Sequence, residues 1–467
     1  MTELLNRPVP TVSTPSGRRR GRWIEVWDPE NEAFWATTGR RVARRNLIFS
    51  IFAEHLGFTT WLLWSAVVVF LPQAGFTFSV SQLFWLLAVP NLVGSFLRLP
   101  YTFAVPKFGG RNWTVVSALL LLIPTGLLVV AVSDPDTPYW FFLLAAATAG
   151  VGGGNFASSM ANISFFYPEK EKGFALGLNA AGGNIGTAVV QLVVPVVVTL
   201  GGGLTVAYAG LAWMPFIVLA AVGAWLFMDN LAMARSDFKT QAAAAKRSHT
   251  WVMSFLYIGT FGSFIGYSAA MPLLLKTQFP GTNAVSYAFA GALIGSVARP
   301  FGGWLSDKLG GARVTFATFL VMGAGVLGVM YAVEGAKNLP LFLASFAVLF
   351  AATGVGNGST YRMIPAIFRA WGEREASRPG GPSRAEALAA GRREAAAAIG
   401  ISSAVGAFGG FLINQQFAAS IKATGGVSQA LIVFIAFYAI CLAVTWFCYL
   451  RRRFLVARVP SLAEATV

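Results

Sequence analysis

The stretch LVGSFLRLPYTFAVPKFGGR, residues 92–111, is written a second time further along the chain, as LIGSVARPFGGWLSDKLGGAR at 293–313. Gly94, Arg98, Lys107, Gly109 and Gly110 match Gly295, Arg299, Lys308, Gly310 and Gly311 at one offset, 201 positions. Internal repeats dictate architecture, and this one extends in both directions. Phe58 and Phe261 match at 203, GVGGGN (150–155) matches GVGNGS (354–359) at 204, and Asn179, Gly182, Gly186 and Gln191 match Ser403, Gly406, Gly410 and Gln415 at 224. The late jump in offset coincides with a hydrophilic insertion at 370–394. Two related halves, 46–229 and 250–450, follow, joined by a linker at 230–249 and flanked by segments 1–45 and 451–467.

Composition names the solvent. The chain is 56% hydrophobic and 12% charged, with a mean hydropathy of +0.63, whereas soluble domains carry about 25% charged residues. Uncharged runs cover 56–97, 112–133, 137–168, 173–228, 250–275, 277–298, 314–333, 338–361, 395–421 and 423–450. A spanning helix needs about 20 residues. The turn signals FLPQAGFTFS and VTLGGGLT divide the longest runs, and a first helix begins near Asn46, so twelve spans are expected. Parallel halves with a site near the midplane at their interface describe the major facilitator architecture. The expected fold is an all-α integral membrane protein, with twelve transmembrane helices in two pseudo-symmetric six-helix halves.

A net charge of +16 on a soluble chain would point to nucleic acid. Here its placement explains it: basic residues gather at 40–45, 107–111, 170–172, 230–249, 308–313, 369–394 and 451–453, while the alternate loops carry almost none. The positive-inside rule then puts both termini in the cytoplasm, and no nucleic-acid partner is expected. Residues 1–22 lack an apolar core, so no cleavable signal peptide is expected. The following RWIEVWDPENEAFWATTGRR (22–41), with Trp23, Trp27, Phe34 and Trp35 among charges, reads as an amphipathic stretch at the inner interface or as an unstructured tail. Cys441 and Cys448 suggest neither disulfide nor metal site. No cofactor is implied.

Glycine costs about 1 kcal/mol inside a soluble helix, yet the chain concentrates it in matched segments. Gly152, Gly153, Gly154, Gly182, Gly183 and Gly186 in the first half are answered by Gly356, Gly358, Gly406, Gly409 and Gly410 in the second. In lipid, small residues permit close helix approach and carry the packing. These glycines are expected where the two halves meet, as packing positions or as a seam that slides during transport.

Arg98 and Arg299 stand mid-span, far along the chain from other charges. An arginine at that depth costs roughly 3 kcal/mol on insertion scales and stays protonated. Glu54 is the one clear acid inside the spans. Two cations against at most one fixed anion leave room for a bound anion. Phe58 and Phe261 are repeat mates, and Tyr257 lies one turn before Phe261. Aromatic walls with two planar guanidinium forks suit a small, flat oxyanion.

The segments GGGNFASSMANISFFYP, ALGLNAAGGNIG, GNGSTYRMIPAIF and SSAVGAFGGF resemble the signatures of the nitrate/nitrite porters (NarK-type) of the major facilitator superfamily, and the resemblance runs over about residues 40–455. It implies a nitrate and nitrite transporter of the inner membrane, working as a monomer in the lipid bilayer. It carries the paired arginines onto Arg98 and Arg299, an aromatic sandwich onto Phe58 and Phe261, a hydroxyl donor onto Tyr257, a polar contact onto Asn179 and, more weakly, another onto Ser403. The chain departs from some members at Val151, where an aromatic is replaced.

The resemblance leaves the coupling open. Two cations facing each other resist closure of an empty carrier, which favours exchange of nitrate inward for nitrite outward by alternating access. Glu54, one turn before Phe58 and on the same face, has three readings: a proton carrier that would make a nitrate symporter, the counter-ion of one arginine, or a solvated group near Arg44 and Arg45. An anion channel would explain the glycines but not matched arginines in two half-repeats. An enzyme would need a nucleophile–base set or metal ligands, and His55 and His249 are the only histidines.

Overall fold

The computed structural model describes residues 22–234, 238–452, 461–462 and 467. The polar residues 1–21, three residues of the linker and most of the tail 451–467 lie outside them. The long helices are α1 (Arg40–Trp61), α2 (Val80–Phe108), α3 (Gly110–Ser133), α4 (Tyr139–Phe166), α5 (Glu169–Val197), α6 (Tyr208–Phe227), α7 (Ser248–Gln278), α8 (Ala288–Leu309), α9 (Gly311–Gly335), α10 (Leu339–Ala376), α11 (Arg384–Thr424) and α12 (Ser428–Leu450). Ten of them are long and apolar enough to cross a membrane. The other two, α1 and α8, have 22 residues each, about 33 Å at 1.5 Å per residue. They carry the basic run 40–45 with Glu54, and Arg299 with Asp307 and Lys308, respectively. Large apolar side chains such as Phe96 and Trp140 cover the outside, 64% and 63% exposed.

The repeat is visible in how helices stop. α2 ends at Gly109 (φ +85°) and α8 at Gly310 (φ +88°), a backbone region that only glycine occupies without strain. Local caps start others: Ser79 and Gln82 form a capping box on α2, as do Ser383 and Glu386 on α11. The insertion 370–394 is largely helical. α10 continues to Ala376, and α11 starts at Arg384 and runs back beside it, tied by a forked Arg384–Glu373 pair at 2.7 and 2.9 Å.

α2 packs along α4 and α11, α5 along α1 and α8, and α10 along α8 and α9. Most of the expected seam glycines do not lie between the sequence halves, which corrects that expectation. A Cβ on Gly152 would sit 2.1 Å from the Gly57 carbonyl, one on Gly186 2.3 Å from that of His55, one on Gly182 2.4 Å from Ile51 and one on Gly183 2.6 Å from Glu54. All four contacts bring α4 or α5 onto α1. In the second half Gly406 meets Tyr257 at 2.4 Å and Gly409 meets Gly262 at 2.7 Å, while Gly358 meets the Arg299 carbonyl at 2.1 Å and Gly356 meets Thr318 at 2.6 Å. Gly153 and Gly154 likewise meet Trp61 and Leu97 of their own half. Gly410 also faces across, 3.0 Å from Asn91. Backbone-to-backbone approach within each half is what these residues allow.

At the basic end, Trp23–Ile24 (β1) pairs in parallel with Asn230–Leu231 (β2). Trp27 and Trp35 turn in against Phe166 and Tyr167, and Trp27 Nε1 donates to the Phe166 carbonyl at 3.3 Å. Buried Asp229 takes Arg22 and Arg45 as partners. Residues 22–39 therefore lie on the protein, tying the ends of α1, α4, α5 and α6. At the opposite end the halves are joined by Gln191, whose Nε2 donates to the Ser268 carbonyl of the second half at 2.6 Å and to the Ser65 hydroxyl of its own half at 3.1 Å. Lys276 also donates to the Val69 carbonyl.

Candidate functional site

α2 and α8 bring the two arginines inside the bundle, with Arg98 fully buried and Arg299 nearly so. Arg98 Nε donates to the Gly153 carbonyl at 3.1 Å and Nη1 to the Ser403 carbonyl at 2.9 Å. Its Nη2 and Arg299 Nη1 are buried without a hydrogen-bond partner. A single ring, Phe156 of α4, lies 4.6 Å from the Arg98 guanidinium carbon and 5.8 Å from that of Arg299.

The aromatic wall is continuous. Phe156 stacks on Phe261 at 6.2 Å and meets Phe58 edge-on at 6.0 Å. Phe261 stacks on Tyr257 at 5.3 Å, a pairing set by a π-type turn over Ile258–Gly262 in α7; such turns occur often at functional sites. Phe261 also lies 4.9 Å from the Arg98 guanidinium, and Tyr361 of α10 lies 5.6 Å from that of Arg299. The Tyr257 hydroxyl is buried facing Arg299, with no hydrogen bond of good geometry. Guanidinium faces against desolvated rings gain up to about 2 kcal/mol each, which helps hold two like charges in an apolar interior.

Of the expected site residues, Arg98, Arg299, Phe58, Phe261 and Tyr257 come together. Ser403 joins them through its carbonyl, because its hydroxyl donates to Gly400 at 3.0 Å. Asn179 turns to Glu54, its Nδ2 lying 2.5 Å from both Glu54 Oε2 and Ser159 Oγ. On the same helix, Asn184 is fully buried with both carboxamide atoms unpartnered. Glu54 itself is completely buried, accepting from Ser159 as well as Asn179, with Oε1 unpartnered. The charges that face it are Arg299 and Arg98, yet among the described residues no cation lies within ion-pair distance of it. The solvated reading of Glu54 is thereby excluded.

Phe156, Tyr361, Trp61, Ser159 and Asn184 were not legible in the sequence. Trp61, 5.3 Å from Arg98, is matched by Phe264. Phe156 is matched by Thr360 and Tyr361 by Ala157, so a search for repeated residues passes over both. Val151 packs into the wider core and joins none of the site's ring contacts. Among the described residues no cluster of His, Cys, Asp and Glu is arranged to hold a metal ion. What the arrangement offers is unpaired N–H donors and two positive charges behind aromatic walls.

The family model described as Major Facilitator Superfamily matches residues 55–370. The chain is 43% identical to "Nitrate/nitrite transporter NarU" of Escherichia coli (strain K12), over 92% of this chain and 97% of that one. It is 37% identical to "Probable nitrate/nitrite antiporter NarK2" of Thermus thermophilus, over 93% and 98%. Among solved structures it is similar to a bacterial homolog of the human lysosomal transporter Spinster, in an inward-facing and occupied conformation, with a TM-score of 0.57 and 15% identity over 85% of this chain and 95% of that chain. That likeness bears on the fold.

Proposed function

The chain belongs to the major facilitator superfamily, close to the NarK-type nitrate/nitrite transporters, and from that premise we propose that it carries nitrate and nitrite across the inner membrane by alternating access, taking nitrate in as it sends nitrite out. Twelve spans in two six-helix halves, 46–229 and 250–450, rock about a central site, with both termini in the cytoplasm and a single chain as the working unit in the bilayer. The observation that carries the reading is the pair of buried arginines that share the Phe156 ring, each with a guanidinium nitrogen that has no partner.

A buried cation needs an anion, and a planar fork matches a flat oxyanion better than it matches a halide. Arg98, Arg299 and the Tyr257 hydroxyl supply the donors. The unpartnered carboxamide of Asn184 is a better placed contact than Asn179, which is held by Glu54. Without an anion, two like charges face each other in a dry interior, and rocking from one side to the other is costly. Obligatory exchange follows from that cost.

A second reading rests on Glu54. Its buried carboxyl, bound by a hydroxyl and a carboxamide rather than a cation, is a group that a proton would neutralise, making the carrier a proton–nitrate symporter.

Arg98→Lys and Arg299→Lys test the common part of both readings. Lysine keeps the charge and loses the fork, so each variant should fold, insert and bind nitrate about 100-fold more weakly, the loss of one to two charged hydrogen bonds. Binding within a few-fold of the parent in both variants would move the site elsewhere.

A further inference from the structure

We propose that Asn357 is a further anion contact, supplied by the second half beside Arg299, and that it sets how tightly the anion is held; this rests on the reading of Arg98 and Arg299 as an anion site. Asn357 is 1% exposed, and both its Nδ2 and its Oδ1 lack any hydrogen-bond partner. A carboxamide left wholly unpaired in an interior is costly, and native proteins keep such groups rarely.

Its position points to the site. On α10, Asn357 precedes Tyr361 by one turn and shares its face. The Tyr361 ring lies 5.6 Å from the Arg299 guanidinium and 6.5 Å from the Tyr257 ring.

The repeat sharpens this. At the offset of its segment, Asn357 is the counterpart of Gly153, the residue whose carbonyl accepts from Arg98. A Cβ on Gly153 would meet the Trp61 indole at 2.6 Å, and that indole lies over Arg98 at 5.3 Å. The first half thus keeps a glycine so that an aromatic can fill the place beside its arginine. In the second half the mate of Trp61 is the smaller Phe264, which a Cβ on Gly295 would meet at 2.7 Å, much as one on Gly94 would meet Trp61 at 2.8 Å. In place of Gly153 the second half has a carboxamide.

The second half thus holds two buried donors without a partner, Arg299 Nη1 and Asn357 Nδ2, and Tyr361, one turn from Asn357, lies against the arginine. Nitrate has three acceptor oxygens, one more than two forks need if each holds a single oxygen. The amide N–H donates to that anion.

Replacement by leucine separates a ligand contact from a structural one. Removing an unpaired buried amide in favour of an apolar side chain of similar volume leaves folding intact or improves it, while loss of a bond to a charged ligand weakens nitrate binding about tenfold. Purified parent, Asn357→Leu, Asn357→Ala and Arg299→Lys are titrated with sodium nitrate, reading the shift in thermal unfolding, with sodium chloride as the control salt. The expected result is an unliganded melting temperature in Asn357→Leu at or above the parent's, and a nitrate midpoint about tenfold higher in both Asn357 variants. A nitrate midpoint equal to the parent's in Asn357→Leu, or in Asn357→Ala if leucine does not fold, overturns the inference while leaving the arginine site standing. Absence of any nitrate shift in the parent overturns the anion-site reading itself.

Discussion

Arg98 and Arg299 are the residues on which the chemistry turns, and their surroundings explain why neither is a stray charge. Each is wrapped by rings, and each keeps a nitrogen in reserve. Glu54 is the third ionisable group in the same interior, and the two proposed couplings differ in whether a proton moves on it. Glutamine keeps the volume and the contacts with Ser159 and Asn179 but removes the negative charge. In an exchanger, Glu54→Gln should keep nitrate/nitrite exchange and bind nitrate up to about tenfold more tightly, because one competing anion near the arginines is gone. Loss of exchange in that variant, at normal expression, would show that Glu54 takes part in the cycle itself. At this scale the sequence revealed the residues that carry charge or recur in both halves. Arg98, Arg299, Phe58 and Phe261 do both or one of these things. Phe156 does neither, although its ring lies against both guanidinium groups, and nothing in the chain distinguishes Asn184 from Asn179 until their partners are known.

Among the helices, glycine replaces the side-chain interlocking used in water. α1 and α7 are the posts against which α5 and α11 close, through Gly182, Gly183 and Gly186 on one side and Gly406 and Gly409 on the other. Gly186→Leu should abolish stable expression, since a side chain there meets the His55 carbonyl at 2.3 Å before its first branch. Gly177→Leu, on the same helix with nothing within 4 Å, should fold normally and gain about 1 kcal/mol in helix propensity. Equal yields of the two after detergent extraction would contradict this account of the packing. The Gln191 bonds to Ser268 and Ser65 close the end opposite the termini. Only the bond to Ser268 crosses between the halves, so Gln191→Leu removes about 1 kcal/mol of closure there and should shift the population toward states open at that end by roughly fivefold. Spin labels at Gln73 and Thr282, on exposed loops of the two halves at that end, should report longer distances in the variant. An unchanged distribution would mean that Gln191 fills space without latching. The sequence made the glycines conspicuous but not their neighbours, because matched positions within a repeat look the same whether they pack inside each half or between the halves. Trp27 and Trp35 were ambiguous for a similar reason: an amphipathic stretch satisfies a membrane surface and a protein surface alike, and here Phe166 and Tyr167 receive it.

For the whole molecule, the hydropathy runs and the offset between repeats already implied an all-α membrane carrier, and the family match agrees with them. What they could not give was the coupling, since exchange and proton symport use the same helices, the same arginines and the same rocking. In the proposed exchange, two unneutralised arginines forbid return of the empty carrier. The direct measurement is uptake of labelled nitrate into proteoliposomes, either loaded with nitrite or free of any substrate anion, each with and without an inward proton gradient. Exchange predicts fast uptake only into nitrite-loaded vesicles, unchanged by the gradient. Accumulation of nitrate in vesicles free of substrate anion, driven by the proton gradient and lost in Glu54→Gln, would contradict it and make Glu54 the proton carrier.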